Sequence, residues 1–338
     1  MKIGIIGTGT IAEIHARANQ ITGGALVMVA DVAKDRADRF AAKWNTKAAV
    51  DVSELLAQRL DLVIVGVPNP FHFDIARQAI EAGHAVLCEK PMTGSAAKSK
   101  ELAEIAQRGG RPFFVGYMKR AHPAGQHFYE YVQRIGTIRT GLVRVYLPCG
   151  MVAWQEVAEH LAKDPNDPRH RDGILANCVS HMADLLLWAA GPVKRVIGAR
   201  LGYQPGCAPV DCTAHALLEM QNGASIMIDA AFLPLSGIGK YGNGWDELVE
   251  LRGDAGLARI TNGWWDRPET EAPVAELWDE QKKAWEVFRG QNVDWFVAEH
   301  RLIAQALKGE IVRLAGAQDG LRIDQLIEDV YKAAGVRS

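Results

Sequence analysis

The sequence predicts an α/β protein with two domains, a doubly wound parallel sheet first and a second sheet of antiparallel character after it. Three observations carry this. A length of 338 residues exceeds one ordinary compact core. Up to about residue 120, short unbroken apolar runs alternate with segments of helical spacing. Beyond Gly116 the runs lengthen and alternate apolar with polar residues.

In chain order, the runs at residues 2–6, 25–30, 62–67, 85–88 and 113–115 are short and continuous, as strands covered on both faces must be. Between them, residues 11–20, 34–44, 52–58, 72–82 and 95–108 place apolar side chains at helical intervals. A helix is expected around 126–133, then alternating strands at 140–147, 195–201, 214–220, 224–230 and 247–252. A sheet of such strands has one covered face and leaves the other for a partner, commonly another subunit. Residues 294–307 and 321–333 read as two amphipathic helices. The expected domains are 1–121, 122–310 and a closing segment 311–338, with no repeat or low-complexity linker between them.

Composition narrows the partners. Apolar residues at 48% and charged residues at 23% describe a chain that folds throughout. A net charge of -2 and a pI near 6.6 supply no basic field for nucleic acid, and no basic amphipathic stretch addresses a membrane surface. The five cysteines are scattered without the paired spacing of a zinc site, so no metal is expected and the thiols are read as reduced. Met1 and Lys2 lead straight into the first strand without the pattern of a signal peptide. With no apolar run near membrane-spanning length, the expected address is cytoplasmic.

Gly7-Thr8-Gly9-Thr10-Ile11-Ala12 follows the first strand and opens the first helix, the setting in which G-x-G-x-x-G/A becomes a dinucleotide signature. Gly7 permits the turn, Gly9 lets backbone approach a pyrophosphate, and Ala12 lets helix pack on strand. The helix N-terminus offers N–H groups to the anion. Asp31 ends the second strand twenty-two positions after Gly9, where a carboxylate accepts from ribose hydroxyls and repels a 2′-phosphate. NAD is therefore expected, with NADP as the alternative, because Lys34 and Arg36 follow closely and can either face solvent or turn to a phosphate.

Pro68-Asn69-Pro70-Phe71-His72 follows the third of these strands, and Glu89-Lys90-Pro91 the next. The stretch from Gly66 to Met92 closely resembles the Gfo/Idh/MocA oxidoreductases, and the resemblance continues more loosely along most of the chain. It implies an N-terminal Rossmann domain and a C-terminal α/β domain with an open, largely antiparallel sheet, often a surface for homodimers or homotetramers. The last helix would pack back on the first domain. It also implies that Pro68, Asn69, Glu89 and Lys90 surround the nicotinamide and that Lys90 is the catalytic lysine, stabilising alkoxide-like charge as hydride leaves carbon. His72 is left between contacting cofactor and capping its helix.

The run from Gly173 to Asp184 places Asn177, His181 and Asp184 at helical steps on roughly one face. It resembles the family's catalytic helix, with His181 at the general-base position. Asn177 stands where many relatives have Asp, and an amide cannot store a proton, so it can orient only substrate or Lys90. Val179 and Asp172 replace common family glycines, which implies a substrate pocket of its own. Asp184 reads as a structural hydrogen-bonding group. Eight of nine tryptophans fall after residue 121, and Trp154 and the glycine-rich 240–245 are the better pocket or lid candidates. Lys119 and Arg120 follow the fifth run, where the family often places pocket-facing basic residues, with a plain surface location as the alternative.

The resemblance implies an NAD(P)-dependent dehydrogenase acting on a secondary hydroxyl of a sugar, inositol or related polyol. An alternative is a glycoside-cleaving enzyme that oxidises the sugar transiently, eliminates the aglycone and returns the hydride. A non-catalytic sensor is disfavoured by the presence of both Lys90 and His181.

Overall fold

The first unit of the computed structural model is a six-stranded sheet with strand order β3-β2-β1-β4-β5-β6, every neighbouring pair parallel. The structure describes residues 1–148, 173–203, 210–265 and 267–336. Strands β1 (Lys2–Ile6), β2 (Ala25–Ala30), β3 (Lys47–Ala49), β4 (Leu62–Val65), β5 (Val86–Cys88) and β6 (Phe113–Val115) alternate with helices α1 (Thr10–Ile21), α2 (Lys34–Trp44), α3 (Val52–Leu56), α4 (His72–Glu81) and α5 (Ala96–Gly109). Ile3, Ile5, Val29, Leu62, Ile64 and Leu87 are fully buried in its core, each contributing roughly 1.5–3 kcal/mol by leaving water. The sequence expectation lacked β3, whose three residues Lys47-Ala48-Ala49 offer no β-branched run and lie at the sheet edge.

The chain divides into Met1–Ala121 with Trp295–Asp324, and His122–Asp294 with Gln325–Ser338. Helix α8 (Trp295–Ala306), which the sequence reading had kept with the second domain, therefore groups with the first. Its Phe296 and His300 rings meet His15 of α1, and Ile303 enters the core beneath the sheet. The start of α9 (Ala317–Ala333) joins the same unit. A Cβ at Gly320 would come within 2.7 Å of the Met92 sulfur, so glycine lets this helix approach. Buried Asp324 accepts from the N–H groups of Thr93 and Gly94 and from the Ser99 hydroxyl.

The second unit is an eight-stranded sheet ordered β14-β13-β12-β11-β7-β10-β9-β8. Only β7 (Ile138–Pro148) and β10 (Ser225–Leu233) pair in parallel; every other neighbouring pair is antiparallel. The remaining strands are β8 (Val193–Gly202), β9 (Thr213–Met220), β11 (Asp246–Gly253), β12 (Gly256–Asn262), β13 (Val274–Asp279) and β14 (Ala284–Arg289). A register row Ala275, Ile260, Val249, Val143, Ile228, Ala216 is buried throughout. Helices α6 (Pro123–Val132) and α7 (Ser180–Ala190) cover that face. The adjacent row, Val287, Glu276, Arg259, Glu250, Leu142, Met227, Leu217, lies on the opposite face, with Val287, Met227 and Leu217 exposed and Arg259 ion-paired to Glu276 at 2.8 Å. Strands β12 to β14 were absent from the sequence expectation because charged residues interrupt their apolar runs, and of those charges Arg259 and Glu276 pair across the sheet.

No helix among the described residues is long and apolar enough to cross a membrane, and none of their His, Cys, Asp and Glu side chains form a group of three placed to hold a metal.

Candidate active site

In the first sheet the strand order reverses at β1, so the crevice beyond the carboxyl ends of β1 and β4 is the place where such a fold binds ligands. The two glycines of the opening turn are small for different reasons. Gly7 has φ +91°, and a Cβ there would lie 2.6 Å from the Gly66 carbonyl oxygen. Gly9 has ordinary extended backbone, and a Cβ built on it meets nothing within 4 Å. The protein's own packing thus leaves open space above Gly9, as a cradle for an approaching pyrophosphate requires. Gly9 is the N-cap of α1 and no side chain caps that helix, so its leading N–H groups are left to an anion. Thr8 is half-buried and Thr10 exposed, Ile11 lies against Gly66, and Ala12 is fully buried under the helix.

Asp31 closes this turn from the end of β2. Its carboxylate accepts from the Thr8 N–H at 2.9 Å, the Thr8 hydroxyl at 2.7 Å, the Ala33 N–H at 2.9 Å and Arg36 at 2.8 Å. Burial alone would raise this carboxyl, but the Ala33 N–H, the two Thr8 donors and Arg36 together hold it below its usual range. Arg36 thus stands beside Asp31 as its ion pair, while Lys34 pairs along the helix with Asp38. Of the four donors on Asp31, only half-exposed Arg36 is free to swing away.

Pro68 and half-buried Asn69 lead from β4 into a short 3₁₀ turn and α4. His72 opens α4. It is buried, with its two ring nitrogens 2.9 Å from the Pro91 carbonyl and 2.7 Å from the Val67 carbonyl, and it makes no cap bond to its helix. Each ring nitrogen thus lies against a carbonyl, one after β4 and one in the loop that carries Lys90, and the neutral ring donates to one of them. Burial, offset only in part by those carbonyls, holds its pKa below the ordinary value.

Lys90 is half-buried just past the end of β5. The carboxylate of its neighbour Glu89 is buried and turned inward, 2.9 Å from His15 Nε2, and also accepts from the Lys90 N–H at 3.2 Å. A Cβ at Gly116 would reach within 2.7 Å of that carboxylate, so glycine there makes room for it. Lys119 and Arg120 are both buried, which removes the plain surface reading. Lys119 Nζ lies 5.7 Å from the centre of the Trp295 ring, and Arg120 pairs with Asp319 at 3.2 Å.

In the second unit a π-turn, Leu175–Val179, precedes α7, and such turns gather at functional sites. Asn177 and His181 are half-buried, as are Cys178 and Trp188, where Leu175, Ala176, Val179, Ser180 and Met182 are buried; Asp184 is fully buried. The turn is pinned by Asp211, which the sequence reading missed. Its Oδ2 accepts from the Leu175 N–H at 2.9 Å and its Oδ1 from the Tyr331 hydroxyl at 2.7 Å. A Cβ at Gly173 would lie 2.1 Å from Asp211 Oδ1. The glycine-rich 240–245 segment is tied to the β12–β13 connection, with Asn243 and Trp264 N–H both donating to Glu271 and Tyr241 to the Ala272 carbonyl. Trp154, Cys149, Cys207 and the charged run 163–172 lie outside the described residues.

A parallel sheet whose switch point carries a glycine turn, an uncapped helix N-terminus and a carboxylate at the end of β2 defines a Rossmann-type dinucleotide-binding enzyme. The chain belongs to the Gfo/Idh/MocA oxidoreductases and is an NAD(P)-dependent oxidoreductase: residues 1–117 match that family's "Oxidoreductase family, NAD-binding Rossmann fold" model and residues 135–259 its C-terminal domain model. An inositol 2-dehydrogenase of Acidothermus cellulolyticus is 28% identical over 290 residues, covering 82% of this chain and 79% of the relative. A D-glucoside 3-dehydrogenase of Escherichia coli is 25% identical over 256 residues, covering 69% and 70%. Among solved structures, the WlbA dehydrogenase of Bordetella pertussis in complex with NADH and UDP-GlcNAcA superposes with a TM-score of 0.78 at 20% identity, over 99% of this chain and 96% of that one.

Proposed function

We propose that this enzyme transfers hydride between NAD and a secondary hydroxyl of a sugar, inositol or related polyol. The observation that carries the reading is a half-buried lysine, Lys90, at a strand end of the dinucleotide-binding sheet, directly after a buried carboxylate. Relatives named for inositol and glucoside oxidation supply the substrate class. When bound, NAD supplies the hydride acceptor. Gly7, Thr8, Gly9, Thr10, Ile11 and Ala12 hold its pyrophosphate, Asp31 its ribose, and Pro68 and Asn69 flank the nicotinamide. NADP is the alternative to the extent that Arg36 leaves Asp31 for a 2′-phosphate.

The Lys90 ammonium stabilises negative charge as it develops on the reacting oxygen. His181 accepts the hydroxyl proton, and Asn177 orients the substrate without holding a proton. Lys119 adds a further substrate contact. The open face of the second sheet, with Leu217, Met227 and Val287 exposed, suits a homodimer or homotetramer, and a cytoplasmic address suits the cofactor. The elimination reading is not favoured, since the relatives above are dehydrogenases.

A NAD-coupled absorbance screen over sugars, inositols, sugar acids and glycosides tests this. Lys90→Ala should lower turnover of the responding substrate about 100-fold, as loss of one oxyanion-stabilising group does, with NADH affinity little changed. Undiminished turnover in that variant removes Lys90 from the mechanism. Release of an aglycone without net NADH would instead support elimination.

A further inference from the structure

Behind Lys90 the first unit buries more ionisable groups than its packing needs. His15 of α1 is fully buried; its Nε2 lies 2.9 Å from Glu89 Oε1 and its Nδ1 lies 3.0 Å from Nε2 of His300, itself fully buried on α8. Glu299, next to His300, is buried too, and its Oε2 has no hydrogen-bond partner. A carboxylate, two imidazoles and a second carboxyl from three separate parts of the chain thus meet beneath the residue assigned the chemistry.

The proton positions follow from the partners. An ionised Glu89 only accepts, so His15 Nε2 carries hydrogen. The hydrogen between the two rings then sits either on His15 Nδ1 or on His300 Nε2. In the first case His300, if neutral, must carry its own hydrogen on Nδ1, which is buried and has no acceptor. A buried N–H without an acceptor costs more than an idle lone pair, so His300 donates from Nε2. The result is a directed chain in which His300 donates to His15, and His15 to Glu89.

We propose that His15 and His300 are positioning residues for hydride transfer: a buried imidazole relay that keeps Glu89 ionised and oriented toward Lys90, and so sets the pH range in which Lys90 works. This rests on the assignment of Lys90 above. The charges facing the relay agree with it. Burial would raise Glu89, but the His15 hydrogen bond, the charge of Lys90 and the Lys90 N–H hold it below the usual range. Burial, then the charge of the amino terminus of Met1, keep His300 well below the usual histidine value, hence neutral. Burial, then the charge of Glu89, push Glu299 well above the usual range, hence protonated. One negative charge remains in the cluster, on the oxygen pair beside Lys90, and Phe296 closes the other side of His15 edge-on.

The sign of the pH effect follows. A depressed carboxyl is ionised down to below its ordinary pKa, so wild-type kcat/KM should show no acid limb from Glu89 above about pH 4.5. His15→Leu removes the donor, Glu89 rises, and the acid limb moves up by one unit or more. At pH 4.5 kcat/KM, relative to wild type, should then fall about tenfold further than at pH 8.5. His15→Gln, which keeps one donated hydrogen but cannot relay to His300, should show a smaller shift in the same direction and serves if the leucine variant does not fold. Two readouts are independent of activity: ¹⁵N NMR of the wild-type protein should show Nε2–H tautomers for His15 and His300, and ¹³C NMR should place the Glu89 carboxyl titration higher in the variants. Profiles that superimpose on wild type, or fall by one factor at every pH, with Glu89 titrating unchanged, overturn the relay. A shifted Glu89 titration alongside an active Lys90→Ala enzyme would keep the relay and discard Lys90 as its beneficiary.

Discussion

Gly7 and Gly9 stand two residues apart in one turn, and substituting each with alanine should break different things. At Gly9 the backbone is extended and a Cβ meets no atom within 4 Å, so alanine fits the folded chain. The cost is that of a poorer N-cap, about 1 kcal/mol or less, which in a chain of this size shifts Tm by no more than about 4 °C. The space the methyl enters is the cradle where backbone must approach the pyrophosphate, so NADH affinity should fall at least about tenfold, or 1.4 kcal/mol. At Gly7, alanine must adopt φ +91° and its Cβ would sit 2.6 Å from a backbone oxygen of the neighbouring strand connection. Positive φ alone costs roughly 1–3 kcal/mol, and the overlap, which no side-chain rotation relieves, brings the total to about 3 kcal/mol or more. Urea unfolding and isothermal titration with NADH on both variants separate the effects. A Gly9→Ala protein that keeps wild-type stability and wild-type NADH affinity would refute the cradle.

His122 caps α6 by accepting the Ala124 N–H on Nδ1, and burial pulls its pKa down to about 4. Because the folded value lies below the unfolded one near 6.5, its contribution is complete above pH 6.5 and is lost as pH falls toward 4, about 3 kcal/mol in all. His122→Asn, a good cap that does not titrate, should flatten the urea stability profile between pH 6.5 and 4; an unchanged slope would contradict the assignment. Asp211→Ala leaves the Leu175 N–H and the Tyr331 hydroxyl without their acceptor. Unfolding free energy should drop by about 2–4 kcal/mol and kcat should fall as the Asn177 and His181 segment loses its anchor, whereas a change under about 0.5 kcal/mol would show the contact to be idle.

The first sheet was legible because strands buried on both faces must be continuous apolar runs, and because the glycine turn, Asp31 and the Glu89-Lys90 pair each follow a strand directly. The expected strands and helices fall within a few residues of those observed from β1 to β6, apart from the short edge strand β3. Legibility failed where one face of a strand is open. In β12 and β13, Arg259 and Glu276 occupy outward positions and pair with each other, and in β14 Glu286 pairs with Arg134 in the turn after α6, so no local pattern announces a strand. It failed again at the π-turn, whose five residues read as plain helix, and at His72, whose ring serves two backbone carbonyls that no spacing rule connects.

The chemistry-bearing motif around Lys90 is local in sequence, but what holds it is not. On one side Glu89 depends on His15 and, through it, on His300 near the far end of the chain. On the other, the loop just after Pro91 is gathered by Asp324, which takes the N–H groups of Thr93 and Gly94 and the Ser99 hydroxyl on one oxygen. His72 braces the same loop through the Pro91 carbonyl. Each support is a buried polar group satisfied by a residue tens to hundreds of positions away, and each would be costly to leave unpaired. A short motif can therefore be recognised without the rest of the chain, yet it can be held in working geometry only when α8 and the first turns of α9 have returned to this unit. Folding of the first 121 residues alone should accordingly leave His15 without His300, the Thr93 N–H without Asp324 and the Lys90 loop without its shape.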